Sequence, residues 1–378
     1  MNILFICPIH WSYLRQRHQQ IALGLTKRGH KILYLQFTTI DLIFFMNLFR
    51  LSTDSLLPIK KITEKLIIIN IFLSPFSIIE SSMSRYIILA FLKLYMRCLR
   101  FKPELAVFFT PRYSSILQAL KLMGAKIVYN CVDEMSGFSH LRGDARFLKQ
   151  EIYLAANSSL IIVTSKVLYS KFFKINSKCF YVPNGADFSH FFGALKVREK
   201  NPEVEHLRHP IVGYIGAVFE WFDVDLVCKL ARLHPDYSIL LVGPMDFSLK
   251  KKLERYLNIK MVGVKPYEVL PRYLACMDVC LIPFKINKLT LASNPIKLYE
   301  YLAAGKPVVS TALPEVCENA SGLVYIAKDE EDFIRKVEEA VKEAESPNKE
   351  LIMRRINFAK ENSWEKRIET IEKLLRNF

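Results

Sequence analysis

The sequence predicts an α/β protein of two Rossmann-like, doubly wound units in tandem, on three observations. Short apolar runs alternate with helix-period segments from the first residues onward, the pattern of a parallel sheet. The alternation breaks at residues 191–209, a charged stretch containing Pro202 and lacking periodicity, and then restarts. A chain of 378 residues is long enough for two or three domains. At 51% hydrophobic and 24% charged, with 13 glycines and 17 prolines, it can fill sizeable cores and is neither disordered nor collagen-like.

The elements follow in order. Residues 3–7 form a buried-strand run, and a helix from about Ser12 places Leu14, His18, Ile21, Ala22 and Leu25 on one face. Lys27 and Arg28 complement the dipole of its last turn, and Gly29 stops it. A strand at 31–35 completes a βαβ start, and 105–109, 126–129, 159–163 and 178–182 read as further strands. Beyond the break, strands fall at 211–215, 238–242, 259–262, 279–283 and 307–311, with helices between them. Charged helices over 329–344 and 362–375 close the chain.

Charge and cysteine content narrow the setting. Residues 1–200 hold 27 basic and 11 acidic side chains, whereas 201–378 hold 26 of each, so the whole surplus of +16 lies in the first half. Eight scattered cysteines without CxxC pairs indicate a reducing compartment and no zinc site. The first strand starts at Asn2, with no basic region ahead of an apolar core, so no signal peptide is expected. The longest apolar run, 66–79, is interrupted by Asn70, Ser74 and Pro75 and is too short for a span, which needs about 20 residues. A cytoplasmic protein that can lie on a bilayer without crossing it is expected. No nucleic-acid-binding module appears.

Parallel sheets bind ligands beyond the carboxyl ends of their strands. In the second half that edge is Gly213-Tyr-Ile-Gly216-Ala217, where a glycine after a strand fits either a tight turn or a phosphate cradle. The spacing is not GxGxxG, and the first half offers Cys7-Pro8-Ile9-His10 without a glycine, which argues against a nicotinamide or flavin enzyme. Asp223-Val-Asp225 stands at a helix start and reads as capping, so no metal is assigned. In Ser293-Asn294-Pro295-Ile296-Lys297-Leu298-Tyr299-Glu300, Asn294 is placed to cap a helix and Pro295 to open it. The N–H groups of Ile296, Lys297 and Leu298 would then form an anion site, with the Lys297 ammonium beside them. Glu300 lies one turn on, able either to accept hydrogen bonds from sugar hydroxyls or to pair with Lys297.

Over nearly its whole length the sequence resembles the GT-B glycosyltransferases, and most closely the bacterial transferases of teichuronic-acid and capsule type, related to the retaining family-four group. The matching segments are Trp11, Arg17-His18, Arg28-Gly29-His30, Tyr129-Asn-Cys-Val-Asp133-Glu134 and Val182-Pro-Asn184-Gly185-Ala-Asp187. In the second half they are Gly213 to Gly216, Glu220-Trp-Phe-Asp223, Leu241-Val-Gly243-Pro244, Pro266-Tyr267, Leu270-Pro271 and, most specific, Asn294 to Tyr301. The resemblance implies two Rossmann-like domains facing across a cleft: an acceptor and membrane-facing domain over 1–190, a linker over 191–209, and a nucleotide-sugar domain over 210–355. A C-terminal helix over 356–378, carrying Trp364, would cross back to the first domain. Gly216 and Ala217 would lie by the diphosphate, Val264 and Lys265 would frame the base, Asn294 and Lys297 would face the phosphates, and Glu300 would bind ribose. Where retaining relatives carry a paired glutamate, eight residues before Glu300, this chain has Ala292. Thr290 or Ser293 could replace that contact, and both stereochemical outcomes stay open.

Sugar transfer needs stabilisation of the departing diphosphate and, for inversion, a base on the acceptor hydroxyl. Lys297 and the helix start would supply the first without a metal or other cofactor. Asp133, at the carboxyl end of a first-half strand, is the leading candidate base against a loop-capping role, and His10 is the second. His18, on an apolar stripe, reads as interior. If residues 84–101 are helical, Arg85, Lys93, Arg97 and Arg100 fall within about 120° of arc, the pattern of a helix resting on an anionic membrane. The expected partners are a nucleotide-sugar donor, a lipid-linked glycan acceptor and an anionic membrane surface. The rival readings are a nucleotide-sugar 2-epimerase of the same fold and a non-catalytic nucleotide-sugar-binding protein.

Overall fold

Short runs of fully buried aliphatic residues become strands, and the connections between them become amphipathic helices. The computed structural model describes residues 1–39, 58–73, 82–197 and 201–378. The chain divides into two compact units, the first made of Met1–Ser136, Leu141–Val182 and Ile368–Phe378, the second of Gly137–His140 and Pro183–Arg367. Each is built around one sheet.

The first sheet holds β1 (Asn2–Ile6), β2 (Lys31–Thr39), β3 (Ile59–Thr63), β4 (Leu66–Leu73), β5 (Leu105–Phe108), β6 (Lys126–Cys131), β7 (Leu160–Val163) and β8 (Cys179–Tyr181). Their order is β3-β4-β2-β1-β5-β6-β7-β8, parallel throughout except for the antiparallel pair β3–β4. The reversal of strand order between β1 and β5 puts the ligand-binding crevice of this unit beyond their carboxyl ends. The first helix begins at Arg17 rather than at Ser12: Gln16 and Gln19 form a reciprocal capping box, with the Gln16 N–H donating to Gln19 Oε1 at 3.0 Å. Leu14 therefore precedes the helix. Beyond Leu73, the 66–79 apolar run leaves the described residues, as do 40–57 and the side chain of Arg85. No described helix is long and apolar enough to cross a membrane.

The second sheet holds β9 (Ile211–Ile215), β10 (Ser238–Val242), β11 (Ile259–Gly263), β12 (Val279–Ile282), β13 (Val308–Thr311) and β14 (Tyr325–Ala327), in the order β11-β10-β9-β12-β13-β14, all parallel. The reversal here lies between β9 and β12. The Glu330–Glu345 helix, capped by the Asp329 side chain, buries Phe333, Ile334, Val337, Ala340 and Val341 on one stripe. The 191–209 stretch, expected as a linker, instead contributes Phe191, Ala194 and Val204 to the core of the second unit. Those three apolar side chains are spaced irregularly among charges, which hides them from a periodicity argument.

The last helix, Trp364–Asn377, returns its final turns to the first unit. There Glu372, buried, accepts from Arg28 and from Arg376 Nη2 (2.7 Å) and pairs with His30 Nε2 (2.8 Å). Burial alone would raise this carboxyl, but the hydrogen bonds from Arg28, His30 and Arg376 outweigh it and bring it down to about 2. A depressed carboxylate stabilises the fold above its unfolded pKa near 4.5, and that contribution disappears as pH falls from there through about 2. Glu372→Gln is therefore expected to lower thermal stability at pH 7 by about 1–3 kcal/mol. The deficit should shrink as the pH is taken from 5 toward 2, as differential scanning fluorimetry across that range would show.

Candidate functional site

In the second unit the crossover geometry concentrates backbone donors at the carboxyl edge of β9 and β12. β9 is followed by Gly216, whose N–H donates to Val242 O at 2.8 Å. Gly243 follows β10 at φ +140, and a side chain there would collide with the carbonyl oxygen of Gly216; its N–H donates to Gly263 O at 2.8 Å. Glycines at the ends of β9, β10 and β11 thus let three strand ends close against one another. Tyr214 fills the remaining space, its hydroxyl donating to Ala217 O at 3.2 Å and abutting Gly216. Among the described residues the Ala217 N–H has no partner.

Beyond β12 the chain enters the Ile296–Ala303 helix, and here the structure corrects the local reading. Asn294 is not the N-cap; Pro295 is, in extended conformation, and no side chain caps the helix. Asn294 is buried and ties distant segments together. It donates through Nδ2 to Glu315 Oε2 (2.8 Å) and to the Tyr299 hydroxyl (3.2 Å), and it accepts from the Asn184 N–H (3.0 Å). Asn184 returns a bond to Asn294 O at 2.6 Å. The Leu298 N–H is also spent, on Pro295 O at 3.2 Å. The donors left at this helix start, among the described residues, are the N–H groups of Ile296 and Lys297.

Lys297 and Glu300 form an ion pair, Nζ to Oε2 at 2.6 Å, on a helix face where Glu300 is 4% exposed. Glu300 Oε1 accepts from no described residue, so the carboxylate retains acceptor capacity toward a ligand. The pair fixes the ammonium of Lys297, a residue of the helix's first turn, against a buried carboxylate. The helix is joined to β9 by Tyr301, whose hydroxyl accepts from the Ile215 N–H at 2.8 Å. Val264 is half exposed, and its peptide and that of Lys265 make no backbone hydrogen bonds among the described residues; the Lys265 side chain turns away to Glu203 at 2.7 Å. Ala292 is fully buried. Thr290 spends its hydroxyl on Lys285 O and the Asn287 N–H, and Ser293 donates to Thr290 O, so both are committed to the loop that precedes the helix. Asp223 caps the Val224–Leu233 helix, and Asp225 pairs with Lys252. Among the described residues no group of three His, Cys, Asp or Glu could hold a metal ion.

In the first unit Asp133 follows β6, half-buried, with its carboxylate bonded to no described residue, and burial raises it to about 6. Its neighbour Glu134 anchors the loop: Lys171 Nζ bonds Glu134 (2.7 Å) and Glu151 (2.8 Å), and Ser136 Oγ donates to Glu134 Oε1 at 2.5 Å. His10, after β1, is held differently. Gln36 Nε2 donates to its Nε2 at 2.7 Å, which leaves Nδ1–H to donate to Ser12 Oγ at 3.1 Å. Gln36 is itself fixed by Asn70 and the Trp11 N–H. Burial lowers His10 to about 4, so its ring is neutral and its acceptor nitrogen is occupied. Two strand spacings, about 10 Å, separate the β1 and β6 ends that His10 and Asp133 follow. His18 is interior, its ring 4.6 Å from that of Phe109. Local reasoning missed Asn184 and Glu315 as the partners of Asn294, because neither lies within a hundred residues and twenty residues of it respectively.

Two Rossmann-like units, each with its ligand edge at a reversal of strand order, define the GT-B fold. Solved structures agree. Sucrose-phosphate synthase from Thermosynechococcus elongatus superposes with a TM-score of 0.77 over 99% of this chain and 98% of that one, at 14% identity. Anabaena HepE, in its complex with UDP and glucose, gives 0.69 over 100% of both chains at 15% identity. Residues 209–343, within the second unit, match the family described as glycosyl transferases group 1. TuaH of Bacillus subtilis (strain 168), assigned as a teichuronic acid biosynthesis glycosyltransferase, is 28% identical over 258 residues, covering 63% of this chain and 64% of TuaH. The match spans just under two thirds of that relative's length. The chain is thus a GT-B-fold protein resembling the bacterial glycosyltransferases of cell-surface polysaccharide assembly.

Proposed function

We propose that the chain is a glycosyltransferase that moves a sugar from a nucleotide-diphosphate donor to a lipid-linked glycan acceptor at the inner face of the cell membrane. The observation that carries the reading is the start of the Ile296–Ala303 helix, where two free N–H groups, the Lys297 ammonium and the buried Glu300 carboxylate stand at the reversal point of the second sheet. An amide-and-ammonium pocket suits a diphosphate, and a carboxylate one turn away suits vicinal ribose hydroxyls. The Ala217 N–H adds a donor from the β9 side. HepE was solved with UDP, which makes uridine diphosphate the first probe. In the first unit Asp133 serves as the base and the occupied His10 as a fixed wall. No metal enters this scheme, since helix start and lysine supply the positive charge facing the departing diphosphate.

The membrane contact is assigned to the Ser82–Cys98 helix. Its exposed face carries Tyr86, Phe91 and Leu94 together with Lys93 and Arg97, while Ile88, Leu92 and Met96 are buried on the other side. Apolar side chains among cations on one outward face fit an anionic bilayer surface. The test of the donor assignment is a thermal-shift series with UDP, GDP and ADP. One of them should stabilise the protein by about 2.7 kcal/mol at a hundredfold excess over its dissociation constant. Nucleotide release from the matching donor should then require an acceptor. No shift with any of the three would reject the donor site, and binding without release would leave a non-catalytic protein.

A further inference from the structure

The carboxyl end of the Ser82–Cys98 helix and the turn into β5 border an open, shallow crevice of about 430 Å³. Its lining combines four apolar side chains, Met96, Phe101, Pro103 and Met123, with three cations, Arg97, Arg100 and Lys102. All three cations are exposed, and among the described residues none has an ion-pair partner. The nearest acid in sequence, Glu104, is engaged by the Asn2 N–H at 2.9 Å. Unneutralised like charges gathered around an apolar floor repel one another unless an anion joins them.

The backbone at this point is also unusual. Arg100 adopts φ +48, the single non-glycine residue with positive φ among those described, as the helix closes through Phe101 N–H to Met96 O (2.8 Å). In the same unit the helix ends after Lys27 and Leu122 use Gly29 (φ +95) and Gly124 (φ +90) for that left-handed position. An arginine there carries the steric strain that glycine avoids, and it places a guanidinium at the crevice.

We propose that this crevice binds the phosphate headgroup of an anionic phospholipid in the bilayer. The guanidinium groups of Arg97 and Arg100 and the Lys102 ammonium take the phosphate, and Met96, Phe101 and Met123 receive the glycerol and the first methylenes. The inference rests on the membrane reading above, and Arg97, which stands on the exposed Tyr86, Phe91 and Leu94 face and also lines the crevice, selects a bilayer lipid over free phosphate. The site lies at the amino edge of β5 and β6, opposite the Asp133 loop and at least about 16 Å from it by the strand rise of β6, so it anchors the protein without entering the reaction.

Two readouts test it: co-sedimentation with vesicles of phosphatidylglycerol and phosphatidylcholine, and titration with monomeric dihexanoylphosphatidylglycerol below its micellar concentration. Wild type should bind both, and inorganic phosphate should compete weakly with the short-chain lipid. Arg100→Gly should raise the melting temperature yet weaken short-chain lipid binding about fivefold, and Arg97→Glu with Arg100→Glu should weaken it at least tenfold. Vesicle binding with no short-chain lipid binding would overturn the crevice and leave the membrane reading standing. Short-chain binding without vesicle binding would reject the membrane reading and, with it, a bilayer lipid as the ligand of the crevice. Arg100→Gly that binds lipid as wild type does, or phosphate that competes as strongly as the lipid, would overturn the proposal.

Discussion

Asp133→Asn is expected to lower sugar transfer by about 10²–10⁴-fold, the usual contribution of a positioned general base, while nucleoside diphosphate binding stays unchanged. The carboxylate is free of partners among the described residues and raised by burial to about 6, so it is ionised at pH 7 yet basic enough to take a hydroxyl proton. Asparagine keeps the shape and removes the basicity. Because the ionised form is the active one, wild-type kcat/KM should fall tenfold per unit below pH 6 and level off above it. The residual activity of the variant should lack that limb. Equal loss of transfer and of donor affinity would show that Asp133 holds the loop rather than the proton. The anchoring of Glu134 by Lys171 and Ser136 makes collapse of the loop on so small a change improbable on physical grounds.

Glu300→Ala and Lys297→Ala should separate along different kinetic parameters. A ribose contact is made equally before and during the reaction, so losing it raises KM. Removing a carboxylate that accepts from two hydroxyls should reduce kcat/KM by roughly 10²–10⁴-fold, at about 1.5–3 kcal/mol per charged hydrogen bond. The Lys297 ammonium matters most as charge develops on the departing diphosphate, so its loss should lower kcat. Each variant also strips the other's partner from the 2.6 Å ion pair. Glu300→Gln, which keeps an acceptor oxygen toward both ribose and Lys297, should therefore retain more activity than Glu300→Ala. Steady-state kinetics with saturating acceptor decides the matter, and a Glu300→Ala enzyme with unaltered KM would remove this residue from the donor site.

Much of this architecture was legible in the sequence because buried parallel strands are nearly pure apolar runs. β9, β10 and β12 read directly from Ile211–Ile215, Ser238–Val242 and Val279–Ile282, all fully buried. β3 did not: Ile59–Thr63 alternates exposed and half-buried residues around Lys60 and Lys61 at the sheet edge, and only its antiparallel pairing with β4 makes it a strand. β14 is three residues long and half exposed, too short for any period to register. The candidate site divides in the same way. Gly216, Lys297 and Glu300 follow from local spacing, since a turn and an i,i+3 pair are local facts. Asn294 does not, because its role depends on Asn184 and Glu315, which local rules cannot see.

The amino-terminal body is finished by the polypeptide's last stretch. Ile368 packs so closely on Gly24 that any larger residue there would force its side chain to shift, Glu372 gathers Arg28 and His30, and Phe378 lies 5.7 Å from Phe180. On the ribosome, where domains usually mature in order of synthesis, this chain reverses the sequence of events. Pro183–Arg367 can complete its own sheet while the earlier-made portion still waits with an open groove at Gly24. A nascent chain halted before Ile368 would therefore carry a mature carboxyl-terminal body and an unclosed amino-terminal one.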